Sequence, residues 1–392
     1  MNRTALLLSG LLLAGCGGSG STDSETNPRP AASGSAPAGT PWFTPQTTEA
    51  GLDFTWVSGH RDPEHLLPEI VGGGVALLDF DDDGDLDLYF AQGGDLRDPA
   101  DRPANALFAN RGDGTFERVT EIGAGADRGY GLGVATGDYD GDGDVDLYVT
   151  NAGPNVLLRN DGDGRFTNVT DRAGVGDPGL GASATFFDAD ADGDLDLFVT
   201  NYVDWSLENE ITCYNNRGVP DYCAPNNYAA TSVDVLYRNR GDGTFEDISE
   251  DAGIRTGTGN GLGTTAGDFN GDGRLDLFVA NDANADRLWA NRGDWTFEDI
   301  ALVAGCAYDN SGKAKAGMGV AVGDVDDDAD LDLLVCNLRN ESDSFFINEG
   351  AYFVDTTAAL GLGRTSKAFT RFGMGLVDFD QDTRLDLFQA NG

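Results

Sequence analysis

Six acidic segments in one register constrain this chain more than any other feature. DFDDDGDLDLYF begins at Asp79 and returns as DYDGDGDVDLYV from Asp138, DADADGDLDLFV from Asp188 and DFNGDGRLDLFV from Asp268. DVDDDADLDLLV from Asp324 and DFDQDTRLDLFQ from Asp378 are looser copies. Successive starts lie 59, 50, 80, 56 and 54 residues apart. Such periods point to a propeller or an array of supersecondary units, not to one mixed domain.

The text between the acidic segments sharpens this reading. Five residues before each first Asp stands a small residue: Gly74, Gly133, Ser183, Gly263, Gly319 or Gly373. Small residues suit a strand crowded by its neighbours, as the innermost strand of a propeller blade is. After each loop comes an apolar run such as LDLYVTN, a second strand. A second hairpin follows, as in LFANRGDGTFERVT and LYRNRGDGTFEDIS, with Gly-Asp-Gly as the turn. Four short strands per repeat, with little helical periodicity, predict an all-β fold: a β-propeller of four-stranded blades. The segment from Trp42 to Leu52 reads like the end of an outer hairpin and is expected to add one strand. The count then stops one strand short of six closed blades. About six blades are expected, the last incomplete, with seven in a full-length member.

The pattern D-x-D-x-D-G-x-x-D sets carboxylates at positions 1, 3, 5 and 9 of a tight loop, and a backbone carbonyl at position 7. Calcium takes six to eight oxygens at about 2.3–2.6 Å, and a glycine at position 6 permits the sharp turn. Carboxylates this close repel one another unless a cation lies among them. Magnesium fits less well, because it demands octahedral geometry and keeps its waters. The expected ligand sets are Asp79, Asp81, Asp83, Asp87; Asp138, Asp140, Asp142, Asp146; Asp188, Asp190, Asp192, Asp196; and Asp268, Asn270, Asp272, Asp276. Asp324, Asp326, Asp328, Asp332 and Asp378, Asp380, Asp382, Asp386 form weaker sets, since Ala329 and Thr383 replace the turn glycine. The six loops take 23 of the 67 acidic residues, and six calcium ions would bring the formal charge of −42 to −30. That charge argues against nucleic acid or anionic lipid as a partner.

Residues 1–15 carry Arg3 ahead of a short apolar run, and Leu13-Ala14-Gly15-Cys16 resembles a bacterial lipobox. The expectation is a lipoprotein signal peptide cleaved before Cys16, with lipid on that sulfur and the protein anchored at the bacterial cell envelope. Residues 16–41 are Gly/Ser/Pro-rich and read as a flexible tether, with the propeller over 42–392.

The acidic loops resemble FG-GAP/VCBS repeats. LLPEIVGGGVALLDFDDDGDLDLYFAQGG, the insertion ending YCAPNNY, FVANDANADRLWANRGDWTFEDIA and KAGMGVAVGDVDDD are similar to the bacterial cartilage acidic protein-like family, whose members carry an ASPIC/UnbV domain after the repeats. The resemblance implies an exported calcium-binding propeller that acts in adhesion or interaction. Further propeller sequence and that domain would follow the final FQANG.

Residues 202–231 lengthen one repeat, and Cys213 and Cys223 bracket CYNNRGVPDYC within it. A disulfide closing this loop is the expected reading in an exported protein, whereas Cys306 and Cys336 are not assigned a bridge. His65, Glu69, Lys313 and Lys315 precede inner strands, near one mouth of a central channel. They and Trp205 are candidates for ligand contact, against a more ordinary role in local pairing and packing. Two function classes follow. The first is a lipid-anchored, calcium-stabilised propeller that binds a protein or glycan at the cell surface. The second is a propeller enzyme, a carboxylate-based hydrolase. An assembly factor for another exported protein is a further alternative. Only two histidines and no nucleophile motif or cofactor fingerprint weigh against the enzyme.

Overall fold

A computed structural model describes residues 43–228, 232–350 and 352–391. The expected signal peptide, Cys16 and the expected tether lie outside the described residues. Five four-stranded antiparallel sheets and one hairpin follow one another in chain order. The first sheet joins Val75–Leu78, Asp87–Phe90, Ala106–Asn110 and Phe116–Val119. The other four occupy residues 131–168, 181–247, 261–299 and 320–355, and the last hairpin pairs Arg371–Val377 with Asp386–Asn391. We refer to them as blades 1 to 6. Each innermost strand packs beside that of the next blade, from Val75–Leu78 through to Arg371–Val377. The fold is a β-propeller.

The glycines ahead of each acidic loop show why this packing demands small residues. A Cβ on Gly263 would come within 2.1 Å of the Met318 carbonyl oxygen, and one on Gly319 within 1.7 Å of that of Phe372. At these two positions backbone meets backbone between successive blades, and no side chain fits.

The core lies between blades. Phe80 and Tyr89 of blade 1 pack with Phe166 of blade 2, Tyr139 and Tyr148 of blade 2 with Phe245 of blade 3, and Phe269 and Phe278 of blade 4 with Phe353 of blade 5. Each of these three outer-strand phenylalanines thus packs with two aromatics of the preceding blade. Blade 6 offers the same two positions, Phe379 and Phe388, and the ring that meets them is Phe43, edge-on at 5.0 Å and 5.6 Å. A few residues on, the Phe116 N–H donates to the Ala50 carbonyl at 2.7 Å, just as Phe166 and Phe297 donate to Ile122 and Ala252. Segment 43–51 therefore contacts both the first and the last blade. It forms no strand, contrary to the expectation for this segment, because it has no ladder partner among the described residues.

An apolar plug gathers residues from several blades. Leu66 and Leu67 pack there with Tyr130, Leu132, Leu180, Leu262 and Met318 from four blades, and with Val203, Cys223 and Tyr228 of the insertion. The insertion carries its own small hairpin, Cys213–Tyr214 with Pro220–Asp221, and Cys213 and Cys223 are joined in a disulfide.

Candidate metal centres

Each acidic loop joins the first two strands of a blade, and the backbone rather than the charges sets its shape. Positions 4 and 6 both take left-handed conformations. At position 6, Gly84, Gly143, Gly193 and Gly273 have φ between 84° and 101°. Ala329 (φ 75°) and Thr383 (φ 73°) hold the same conformation with a Cβ, at a cost of about 1–2 kcal/mol each. The degenerate loops thus keep the turn that their sequences make expensive.

That turn folds the loop around its own carboxylates. In the first loop the N–H groups of Asp83 and Gly84 donate to the two oxygens of Asp79 at 3.1 Å and 2.9 Å. Equivalent pairs recur on Asp138, Asp188, Asp268, Asp324 and Asp378. The loops of blades 1, 2, 3 and 5 bring positions 1, 3 and 9 together, with one oxygen from each within 4.8 Å of the others: Asp79, Asp81, Asp87; Asp138, Asp140, Asp146; Asp188, Asp190, Asp196; and Asp324, Asp326, Asp332. The fourth of these is a loop whose sequence promised less. Position 5 lies near enough to position 3 for their charges to oppose each other, as Asp83 and Asp81 do. Oδ1 of Asp83, Asp142, Asp192, Asp272, Asp328 and Asp382 accepts the N–H two residues on, at 2.9–3.0 Å. In the fourth loop Asn270 donates its amide to Asp276 at 2.9 Å, and Arg274 pairs with Asp272 at 2.5 Å, so this loop carries less negative charge than the others.

Position 9 is the buried member. Asp87, Asp146, Asp196, Asp276 and Asp332 are each at most 2% exposed. Each accepts the N–H of loop position 2 and the N–H of an asparagine on the third strand; for Asp146 these are Tyr139 at 3.0 Å and Asn160 at 2.8 Å. Two amide donors do not offset the burial. Desolvation, with the neighbouring carboxylates adding to it, pushes Asp146 up to about 8, Asp196 to about 7, and Asp87, Asp276 and Asp332 to about 6. A buried carboxylate held beside two others, with no cationic side chain in the trio, is a donor set that lacks a cation. The residues fit a divalent oxygen-liganded metal.

Those third-strand asparagines were missed in the sequence. Asn160, Asn239, Asn291 and Asn348 each donate the side-chain amide to the position-2 carbonyl of the preceding blade's loop, on Phe80, Tyr139, Ala189 and Phe269, at 2.7–2.9 Å. Each asparagine thus ties two successive acidic loops together. Asn110 of blade 1 donates only to Leu86 of its own blade. The signal was available, because an Asn opens the outer hairpin turn in all five repeats that have one.

The other candidates are occupied locally. Lys313 pairs with Glu341 at 2.6 Å, and Lys315 donates to Ser342, Asp343 and Ser344. Trp205 donates to Glu210 at 2.6 Å and packs against the plug. Local pairing is therefore the role the structure shows for both lysines and for Trp205. Cys306 and Cys336 are free and buried. Among carboxylates outside the loops, burial pushes Asp234 to about 7 and Asp286 to about 8, but each accepts a strand-end amide, that of Asn201 or Asn281. Both serve the blade backbone.

The FG-GAP-like repeat matches residues 79–149, 138–199, 214–279 and 268–335, each match running from one blade into the next. The chain belongs to the FG-GAP-like repeat family. It is also homologous to cartilage acidic protein 1, being 29% identical to the human protein over 195 residues and 28% identical to the mouse protein over 178. The matches cover 48% and 41% of this chain, and the chain spans about a quarter of those relatives (26%). Similar solved structures include an Agrocybe aegerita lectin that recognises non-reducing terminal N-acetylglucosamine (TM-score 0.45, 16% identity, covering 81% of this chain and 74% of the lectin). The V. cholerae biofilm matrix protein Bap1 is another (TM-score 0.37, 14% identity, covering 72% of this chain and 38% of Bap1).

Proposed function

We propose that this chain is an exported, lipid-anchored propeller whose acidic loops bind calcium and whose rim presents a surface to a protein or glycan at the bacterial cell envelope. The observation that carries the calcium reading is the buried position-9 aspartate, repeated in five blades beside other loop carboxylates. Calcium answers that arrangement better than magnesium, because carboxylates and carbonyls in an irregular loop meet its flexible demand for many oxygens. Bound calcium supplies a fixed positive charge. The chain's own residues then do the rest: Asp146 and its equivalents join the loop to the third strand, and the asparagines join each loop to the previous blade. A ring braced in this way holds its connecting loops rigidly, as recognition without catalysis requires.

Anchoring is tested by Cys16→Ser, which is expected to move the protein from the membrane to the soluble fraction of the native host. Recognition is tested by applying the labelled propeller to intact cells and to a glycan array, with calcium and after metal removal. Calcium-dependent retention on either supports the proposal. Equal retention with and without calcium, or none on either surface, contradicts it.

A further inference from the structure

The chain has two histidines, His60 and His65, and the fold places their rings 5.0 Å apart on the loop ahead of blade 1. Neither belongs to an acidic repeat. The bonds of the two rings fix where their protons lie. His65 Nδ1 is 3.0 Å from the Pro63 carbonyl oxygen, which can only accept, so Nδ1 carries the hydrogen and Nε2 keeps its lone pair. His60 Nδ1 is 2.8 Å from Oε2 of Glu69, whose side chain is 3% exposed. Tyr222 also donates to that oxygen at 3.0 Å. The carboxylate therefore accepts the hydrogen bond of His60 Nδ1–H as well.

This leaves His60 Nε2 facing Oδ1 of Asp62 at 3.4 Å. Two lone pairs opposed at that distance repel unless a proton or a metal ion lies between them. One ligand atom each from His60, Asp62 and His65 lies within 4.8 Å of the others. Tetrahedral bonds of about 2.0–2.1 Å to a zinc ion place its ligands roughly 3.3 Å apart, so a small closure completes the set. A histidine that donates Nδ1–H to a carboxylate or carbonyl while offering Nε2 is the usual arrangement around a bound transition metal.

We propose that His60, Asp62 and His65 bind one transition-metal dication of the zinc class, with Glu69 and the Pro63 carbonyl orienting the imidazoles. Two nitrogens and one carboxylate suit zinc, nickel or copper and not calcium, which takes oxygen. The site is therefore chemically separate from the acidic loops. It lies where the loop meets the disulfide-closed insertion: Tyr222 adjoins Cys223, and His65 lines a cavity of about 410 Å³ shared with Leu207, Glu210 and Tyr214. A metal here would brace the insertion against the loop before blade 1.

The test is calorimetric titration of Zn²⁺ into the full chain in excess calcium, repeated with Co²⁺ to read the visible d–d absorption of a nitrogen-containing site. One zinc per chain, with cobalt absorption that zinc displaces, is the expected result. His60→Asn with His65→Asn should abolish both signals. Asp62→Asn, at a side chain 92% exposed and so without consequence for folding, should weaken zinc binding. Glu69→Gln should weaken it roughly 10- to 100-fold through the orientation of His60. No zinc uptake in excess calcium overturns the proposal. So does uptake that is unchanged in Asp62→Asn and in the double histidine variant.

Discussion

Removing one asparagine tests whether successive acidic loops are mechanically joined. Asn239 is 6% exposed, and its amide donates to Tyr139 at 2.7 Å and to Leu195 at 3.0 Å, while its oxygen accepts the Gly241 N–H at 3.0 Å. In Asn239→Ala the two carbonyls lose their donor inside the blade interface. Each buried group left without a partner costs about 1–3 kcal/mol, and since water reaches the turn side in part, the sum should be about 2–4 kcal/mol. A surface Asn→Ala change lies within about 0.5 kcal/mol of neutral. Asn110→Ala is the internal control: its amide reaches only Leu86, so about half the loss is expected. The assay is urea unfolding in saturating calcium, followed by circular dichroism, with the slope checked for constancy. The Tyr139 carbonyl sits between the ligand positions Asp138 and Asp140, so Asn239→Ala should also weaken calcium binding in that loop, one blade away. A loss below about 0.5 kcal/mol, or equal losses in the two variants, would refute the inter-blade role assigned to this residue.

Three further outcomes follow from the same geometry. Burial raises the position-9 aspartates above the ordinary 3.8, to about 6 to 8, so the folded metal-free protein binds more protons than the unfolded chain across that window. Metal-stripped protein should therefore melt at higher temperature as pH falls from about 8 towards 5, and the slope should flatten in calcium, which favours the charged form. Ala329→Gly should stabilise the protein by about 0.5–1 kcal/mol, relief of the left-handed strain being partly offset by unfolded-chain entropy, and calcium melting curves measure it. Phe43→Ala removes two edge-on ring contacts from a half-exposed side chain and should cost about 1–2 kcal/mol, with faster hydrogen exchange in residues 371–391 as the local readout.

The parts legible in the sequence are those written locally. A period-two run of acids closed by a turn glycine names the loop, and a small residue five places earlier names the crowded inner strand, because each signal spans fewer than about ten residues. What stayed hidden is carried across the ring. Asn239 and Tyr139 are 100 residues apart, and Asn291 and Ala189 are 102 apart; an asparagine before a hairpin turn reads as turn chemistry until its partner is seen. The same distance effect hid the partners of the lysines, though not their role in local pairing. Lys313 meets Glu341 across 28 residues, and no local pattern announces that pairing. The turn bond at position 5, where Asp83 Oδ1 accepts the N–H of position 7, was likewise not announced by the sequence.

The central claim is that the acidic loops are calcium sites, and equilibrium dialysis against calcium with metal analysis of the retained protein addresses it most directly. Four to six calcium ions per chain, with a melting temperature that rises with free calcium as mass action requires, is the result predicted here. Fewer than four ions per chain, or the same melting temperature in calcium and after metal removal, would contradict it.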